Sequence, residues 1–161
     1  MKQEPLRKVH ADLLHRFELF PSFHTLRDDL GIGQQWEKMV DATDALLPMI
    51  YPSHFARGTY GVATPNASPY DIVLRAMQHA VRRTTGVENA AIIRPWLQDF
   101  TLGAPRYTAE HVRAQIDAVY EAGLTEWVLW HPGSNYTIGA LREDGVRIDT
   151  LPNYMGLRHS R

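Results

Sequence analysis

The stretch Ala90-Ala91-Ile92-Ile93-Arg94-Pro95-Trp96-Leu97-Gln98-Asp99-Phe100 decides how this chain is read. Its first four residues form a short apolar run of the kind that becomes a buried strand. Arginine, tryptophan, glutamine and aspartate then follow where that strand should end. In α/β proteins the rigid strand fixes such side chains, and the loop beyond it is free to vary. Sites therefore gather at these ends.

The strand itself reads as Ala90 to Leu97, and working outward, three more segments read as strands. Lys8-Val9-His10-Ala11-Asp12-Leu13-Leu14 is the weakest of them. Ala45-Leu46-Leu47-Pro48-Met49-Ile50-Tyr51 and Trp127-Val128-Leu129-Trp130 are clearer. Their starts lie roughly 40 residues apart, the scale of a strand–helix unit with its loops. Helical patterns fill the gaps. Trp36, Met39, Val40 and Thr43 recur at spacings of three and four between Gly33 and Ala45. Ser68-Pro69-Tyr70-Asp71 is a helix start, with a capping hydroxyl, proline at the first helical position and an acid in the first turn. Ile72, Ala76, Met77, Ala80 and Val81 follow as its buried face, and Gly86 fits its stop. Thr108 caps a third helix whose stripe is Val112, Ile116, Val119 and Tyr120, ended by Gly123.

The order β-α-β-α-β-α-β predicts parallel strands joined by right-handed crossovers. Two long loops, 52–67 and 100–107, fall on the carboxyl side of strands, where α/β folds place their sites. The tail after Thr137 is rich in turns, with Gly139, Gly145, Pro152 and Gly156, and reads as a loosely packed extension.

The totals exclude several classes. The chain has 161 residues, 44% of them apolar and 22% charged, which suits one globular domain. Net charge is −1, and no long run of one sign exists, so neither nucleic acid nor an anionic membrane is an expected partner. Cysteine is absent, which removes disulfides, thiolate metal sites and thiol nucleophiles. The eight histidines show no metal-binding spacing. No P-loop, Gly-x-Gly-x-x-Gly or Gly-x-Ser-x-Gly motif is present, so no cofactor or metal is expected. No apolar run reaches the roughly 18 residues of a membrane span. The polar start, Met1 to Lys8, lacks the apolar centre of a signal peptide, so the chain as written is expected to stay in the cytoplasm.

Six motifs in order carry a resemblance. They are Asp28-Asp29-Leu30-Gly31-Ile32-Gly33-Gln34, Pro48-Met49-Ile50-Tyr51-Pro52-Ser53-His54-Phe55 and Pro65-Asn66-Ala67-Ser68-Pro69-Tyr70-Asp71, then Arg94 to Phe100, Arg113-Ala114-Gln115-Ile116 and Glu126-Trp127-Val128-Leu129-Trp130. Together they resemble the putative glycosyl hydrolase domain family of bacterial (β/α)₈-barrel proteins, over about Asp28 to Thr137. The resemblance implies a TIM barrel and the hydrolysis of O-glycosidic bonds in a poly- or oligosaccharide. A whole barrel typically needs about 250 residues. The fold expected here is therefore α/β, a partial barrel of about four βα units matching strands five to eight. It would occupy residues 1–138, with 139–161 as a C-terminal extension. The family's N-terminal half, with its Asp-Tyr-Val-Arg-Phe-Pro-like strand end, is expected to be missing, which would leave the fragment inactive alone. A non-catalytic carbohydrate-binding or structural fragment is the alternative.

Glycoside hydrolysis uses two carboxyl groups. Asp99, at a strand end, is the first catalytic candidate and Asp12 the second; a loop-capping role is the plainer reading of Asp99. Tyr51 and Ser53 share a face by strand alternation, as do Arg94, Trp96 and Gln98. An arginine placed inside needs a carboxylate, and Asp12 or Asp99 would serve. Trp96 and Trp130 suit sugar stacking, although strand tryptophans more commonly pack in cores. Tyr51, His54, Arg94, Gln98, His131 and Asn135 complete the expected substrate contacts. Trp36 and Trp127 are assigned to the core, and Glu126 to the surface on the amino-terminal side. The open edges of a half barrel invite pairing, so a homodimer is expected.

Overall fold

A computed structural model describes residues 16–19 and 35–141. Its sheet is parallel throughout. Strand β1 (Arg16–Leu19) pairs with β2 (Ala45–Ile50), and the fourth position is β5 (Val128–Trp130). The third position holds two short strands, β3 (Ile92–Ile93) and β4 (Trp96–Gln98), both paired with β2. The expected first strand, Lys8–Leu14, and with it Asp12, lies outside the described residues.

Pro95 accounts for the division of the third strand. It has no N–H to give the ladder, while its carbonyl still accepts from Val128 N–H at 2.9 Å. The register does not slip across the break. Leu46 pairs with Ile93 and Met49 with Trp96, at one and the same offset. Alternation therefore survives, and the two faces of the sheet stay sorted.

Three helices among the described residues cover one face: α1 (Trp36–Ala42), α2 (Pro69–Thr84) and α3 (Ala109–Glu121). They bury Trp36, Val40, Ile72, Met77, Ile116 and Val119 against Leu46, Ile50, Ile93 and Leu97. Each fully buried apolar side chain of this size contributes about 1.5–3 kcal/mol. Trp36 lies in this core, as its sequence position predicts, and its indole N–H donates to Thr84 Oγ1 at 3.0 Å. Trp127 packs against the same cluster and donates to Tyr120 Oη at 3.0 Å.

The helix ends follow the sequence signals. Thr108 forms a capping box with His111 at the start of α3. Gly123, with φ of 84°, turns the chain out of that helix, and Gly86, with φ of 88°, follows α2. Pro69 opens α2, but the Ser68 side chain makes no capping hydrogen bond there.

By alternation, Leu47, Met49 and Tyr51 of β2 point away from the helices, as do Ile92, Trp96, Gln98, Val128 and Trp130. No helix among the described residues lies on this second face. Ile92 is 50% exposed and Trp130 43% exposed there. A sheet with helices on one face and a row of aliphatic and aromatic residues, with Gln98 among them, on the other is the arrangement of a barrel segment. The expected boundary at residue 138 falls in a 3-10 turn, Ile138–Ala140, that packs on α3. Ala140 within that turn is 1% exposed.

Candidate functional site

The carboxyl ends of β2, β4 and β5 lie side by side, and each hands its chain to a loop. After β2 the backbone enters a 3-10 turn, Pro52–His54, followed by two more, Thr59–Gly61 and Pro65–Ala67. Asn66 ties this loop to the one after β4. Its Nδ2 donates to Leu102 O and Ala104 O, each at 2.9 Å, and Tyr107 Oη donates to Asn66 O at 3.3 Å. Burial raises the pKa of that Tyr107 phenol, so it stays a donor.

Gln98 is the hub of the cluster. It is fully buried and its side chain is engaged at both ends. Its Nε2 donates to Phe100 O at 2.9 Å. Its Oε1 accepts from Ser53 N–H at 3.0 Å and from Ser53 Oγ at 2.8 Å. Its backbone is held from behind by Gln115 of α3, whose Oε1 accepts from Gln98 N–H at 2.9 Å and whose Nε2 donates to Gln98 O at 2.8 Å. The pairing of β2 with β4 ends at Ile50 and Leu97. Gln115 thus supplies hydrogen bonds just beyond the last paired residue. It had a sequence signal, a glutamine inside the apolar stripe of α3.

Tyr51, His54 and Phe100 meet through their ring edges, with centroids 5.4, 5.6 and 6.2 Å apart. Burial lowers the pKa of His54, which favours the neutral ring. Its Nδ1 lies 3.1 Å from Ser53 Oγ.

Asp99 follows at the end of β4 and is 2% exposed. Both carboxylate oxygens are occupied: Thr137 N–H donates to Oδ2 at 2.7 Å and Thr137 Oγ1 donates to Oδ1 at 2.6 Å. The aspartate thereby fastens the loop after β5 to the end of β4. That loop carries His131, whose Nδ1 accepts from Gly133 N–H at 2.9 Å and Asn135 N–H at 3.3 Å. The His131 and Tyr136 rings meet edge to face at 6.4 Å. Asn135 is exposed on the same loop.

Trp96 and Trp130 form a T-shaped pair, centroids 5.8 Å apart and planes at 86°. Trp130 is the more open partner. The Trp96 indole N–H is buried with no hydrogen-bond partner among the described residues.

Arg94 does not join the strand-end group. Of the two carboxylates the sequence pointed to, Asp99 is engaged by Thr137 and Asp12 lies outside the described residues; Arg94 pairs with Glu126, through Nε and through Nη2. Both residues sit ahead of β4 and β5, at the amino-terminal side. The glutamate assigned to the surface is thus the arginine's counter-ion. Sequence alternation placed Arg94 on the right face but could not give its depth along the strand line.

Residues 3–136 match the family described as putative glycosyl hydrolase domain. Among solved structures, the chain is similar to the PgaB (BpsB) glycoside hydrolase domain from Bordetella bronchiseptica. The TM-score is 0.53 and identity 15%, over 74% of this chain and 31% of that one. The likeness is one of fold, and this chain spans about a third of that structure's length. A search of curated proteins finds no match.

Proposed function

The chain belongs to the putative glycosyl hydrolase domain family, and from that premise we propose that it supplies the sugar-holding strand ends of a barrel that hydrolyses O-glycosidic bonds in a poly- or oligosaccharide. The observation that carries this reading is the gathering of Tyr51, His54, Gln98, Trp130 and His131 at the carboxyl ends of three adjacent parallel strands. Exposed indole beside fixed polar groups is the chemistry that holds a sugar ring. In this reading Trp130, set at right angles to Trp96, is the stacking platform. His54 and His131 reach ring hydroxyls from the two neighbouring loops.

Hydrolysis needs two carboxyl groups, one to donate a proton and one to act as nucleophile or base. Asp12 and Asp99 are the pair proposed from the sequence. The capture of both Asp99 oxygens by Thr137 supports a positioning role for it, through the β5 loop.

The same observation favours a second reading, a carbohydrate-binding half barrel without chemistry of its own. The two readings separate in one experiment. Turnover of aryl glycosides and polysaccharides is measured for the wild type, Asp99→Asn and Thr137→Val, beside oligosaccharide binding for all three. Hydrolysis lost in Asp99→Asn and kept in Thr137→Val assigns Asp99 to the chemistry. Equal losses in both assign it to the loop. Binding without turnover in every protein supports the non-catalytic reading, and absence of both sinks the proposal. Pairing of two copies through open sheet edges is part of the same proposal; light scattering that shows a monomer removes that part.

A further inference from the structure

We infer that Gln98 and Ser53 fix His54 in the tautomer that carries its proton on Nδ1, so that Nε2 is a hydrogen-bond acceptor offered to a hydroxyl of a bound sugar. The ligand half of this inference rests on the reading above; the tautomer half stands on geometry alone.

The argument starts at two backbone groups whose roles are not adjustable. Phe100 O can only accept, and it lies 2.9 Å from Gln98 Nε2. Ser53 N–H can only donate, and it lies 3.0 Å from Gln98 Oε1. Turning the amide over would set oxygen against oxygen at one end and N–H against N–H at the other. The side chain is therefore oriented, with Oε1 toward Ser53.

Ser53 Oγ lies 2.8 Å from that same Oε1. A carbonyl oxygen cannot donate, so the serine proton occupies this line. Only lone pairs of Oγ remain for His54 Nδ1, 3.1 Å away. The hydrogen on that contact must come from the imidazole. A neutral ring with Nδ1–H has a bare Nε2, because the hydrogen bond made by one nitrogen sets the state of the other. The edges of Tyr51 and Phe100 hold the ring in place.

His131 has the opposite polarity. Two backbone N–H groups point at its Nδ1, so its neutral form carries the proton on Nε2 and donates. The β2 and β5 loops thus present one acceptor and one donor. A sugar hydroxyl can satisfy either as the rings stand, whereas a carboxylate, having no hydrogen, pairs with His54 only after the ring takes up a second proton. Gln98 and Ser53 act as positioning residues in this scheme, and His54 is the ligand contact.

The test is a long-range ¹H–¹⁵N spectrum of the histidine-labelled protein at about pH 8, above the ordinary imidazole pKa of about 6.5. The His54 signals are assigned by their loss in His54→Gln. The expected spectrum shows Nδ1–H for His54 and Nε2–H for His131. Ser53→Ala removes the acceptor and keeps the backbone contact to Gln98, so His54 loses its Nδ1–H state while His131 is unmoved. Ser53→Thr restores it. A wild-type His54 protonated on Nε2 overturns the inference, as does a tautomer indifferent to Ser53→Ala. Cello-, malto- and chito-oligosaccharides are then titrated in. A binder that moves the His54 Nε2 signal is the expected result. One that quenches tryptophan fluorescence and leaves that signal unmoved overturns the acceptor role. Failure of all three series to bind overturns the glycoside reading and the ligand half with it. The nitrogen spectrum still decides the tautomer half.

Discussion

Asp99 and Thr137 join the end of β4 to the loop beyond β5 through two short hydrogen bonds, at 2.7 and 2.6 Å, made to the two oxygens of one buried carboxylate. Such bonds to a charged group are worth about 1.5–3 kcal/mol each. Asp99→Ala is expected to lower the unfolding free energy by about 2–3 kcal/mol, with part of that from the bare Thr137 N–H. Urea denaturation measures it. A change below about 0.5 kcal/mol, the range of neutral surface substitutions, would contradict the fastening role.

Gln115→Leu keeps the volume and the helix propensity but leaves Gln98 N–H and C=O without their α3 partner. Buried unsatisfied groups cost about 1–3 kcal/mol each. A loss of that order is expected, with faster amide exchange at Gln98 as the residue-specific sign. Unchanged protection at Gln98 would show that another group takes the place of Gln115.

Trp130→Ala separates binding from folding. The residue is 43% exposed, so its removal forfeits the apolar area it does bury together with the aromatic pair with Trp96, which is worth about 0.5–1.5 kcal/mol beyond that area. Oligosaccharide affinity is expected to fall at least tenfold, equivalent to about 1.4 kcal/mol. Titration calorimetry beside thermal unfolding reads both quantities. Full affinity in the variant removes Trp130 as the platform.

The His54 pKa lies below its ordinary value of 6.5 because burial disfavours the charged ring. Below pH 6.5 the unfolded chain takes up the proton first, so it binds more protons than the folded one. The contribution of His54 to stability is therefore present above pH 6.5 and is lost as pH falls through the folded pKa. Thermal unfolding of wild type and His54→Gln between pH 7.5 and pH 5 is expected to converge on acidification. Parallel curves would show that His54 is not desolvated.

Local signals in the sequence carried much of this fold. The capping Thr108, the stops at Gly86 and Gly123 and the apolar stripes of α2 and α3 act within a few residues, and their positions agree with the helices. The strand that begins at Ala45 was legible for the same reason. Pairings across long stretches of chain were not. Asp99 finds Thr137 and Arg94 finds Glu126 only because parallel neighbours bring β4 and β5 together. No spacing rule within one segment encodes which carboxylate faces which donor. The role of Pro95 was hidden too, since an apolar run with one proline reads as a single strand until its neighbours are known.

The register that runs unbroken past Pro95 makes residues 92 to 98 intolerant of any change in length. Removing or adding one residue there would exchange the two faces of the strand. Leu97 would then turn toward the strand-end cluster and Gln98 into the apolar layer beneath the helices. A single-codon deletion would damage core and site together, whereas substitution of Pro95 leaves that facing untouched.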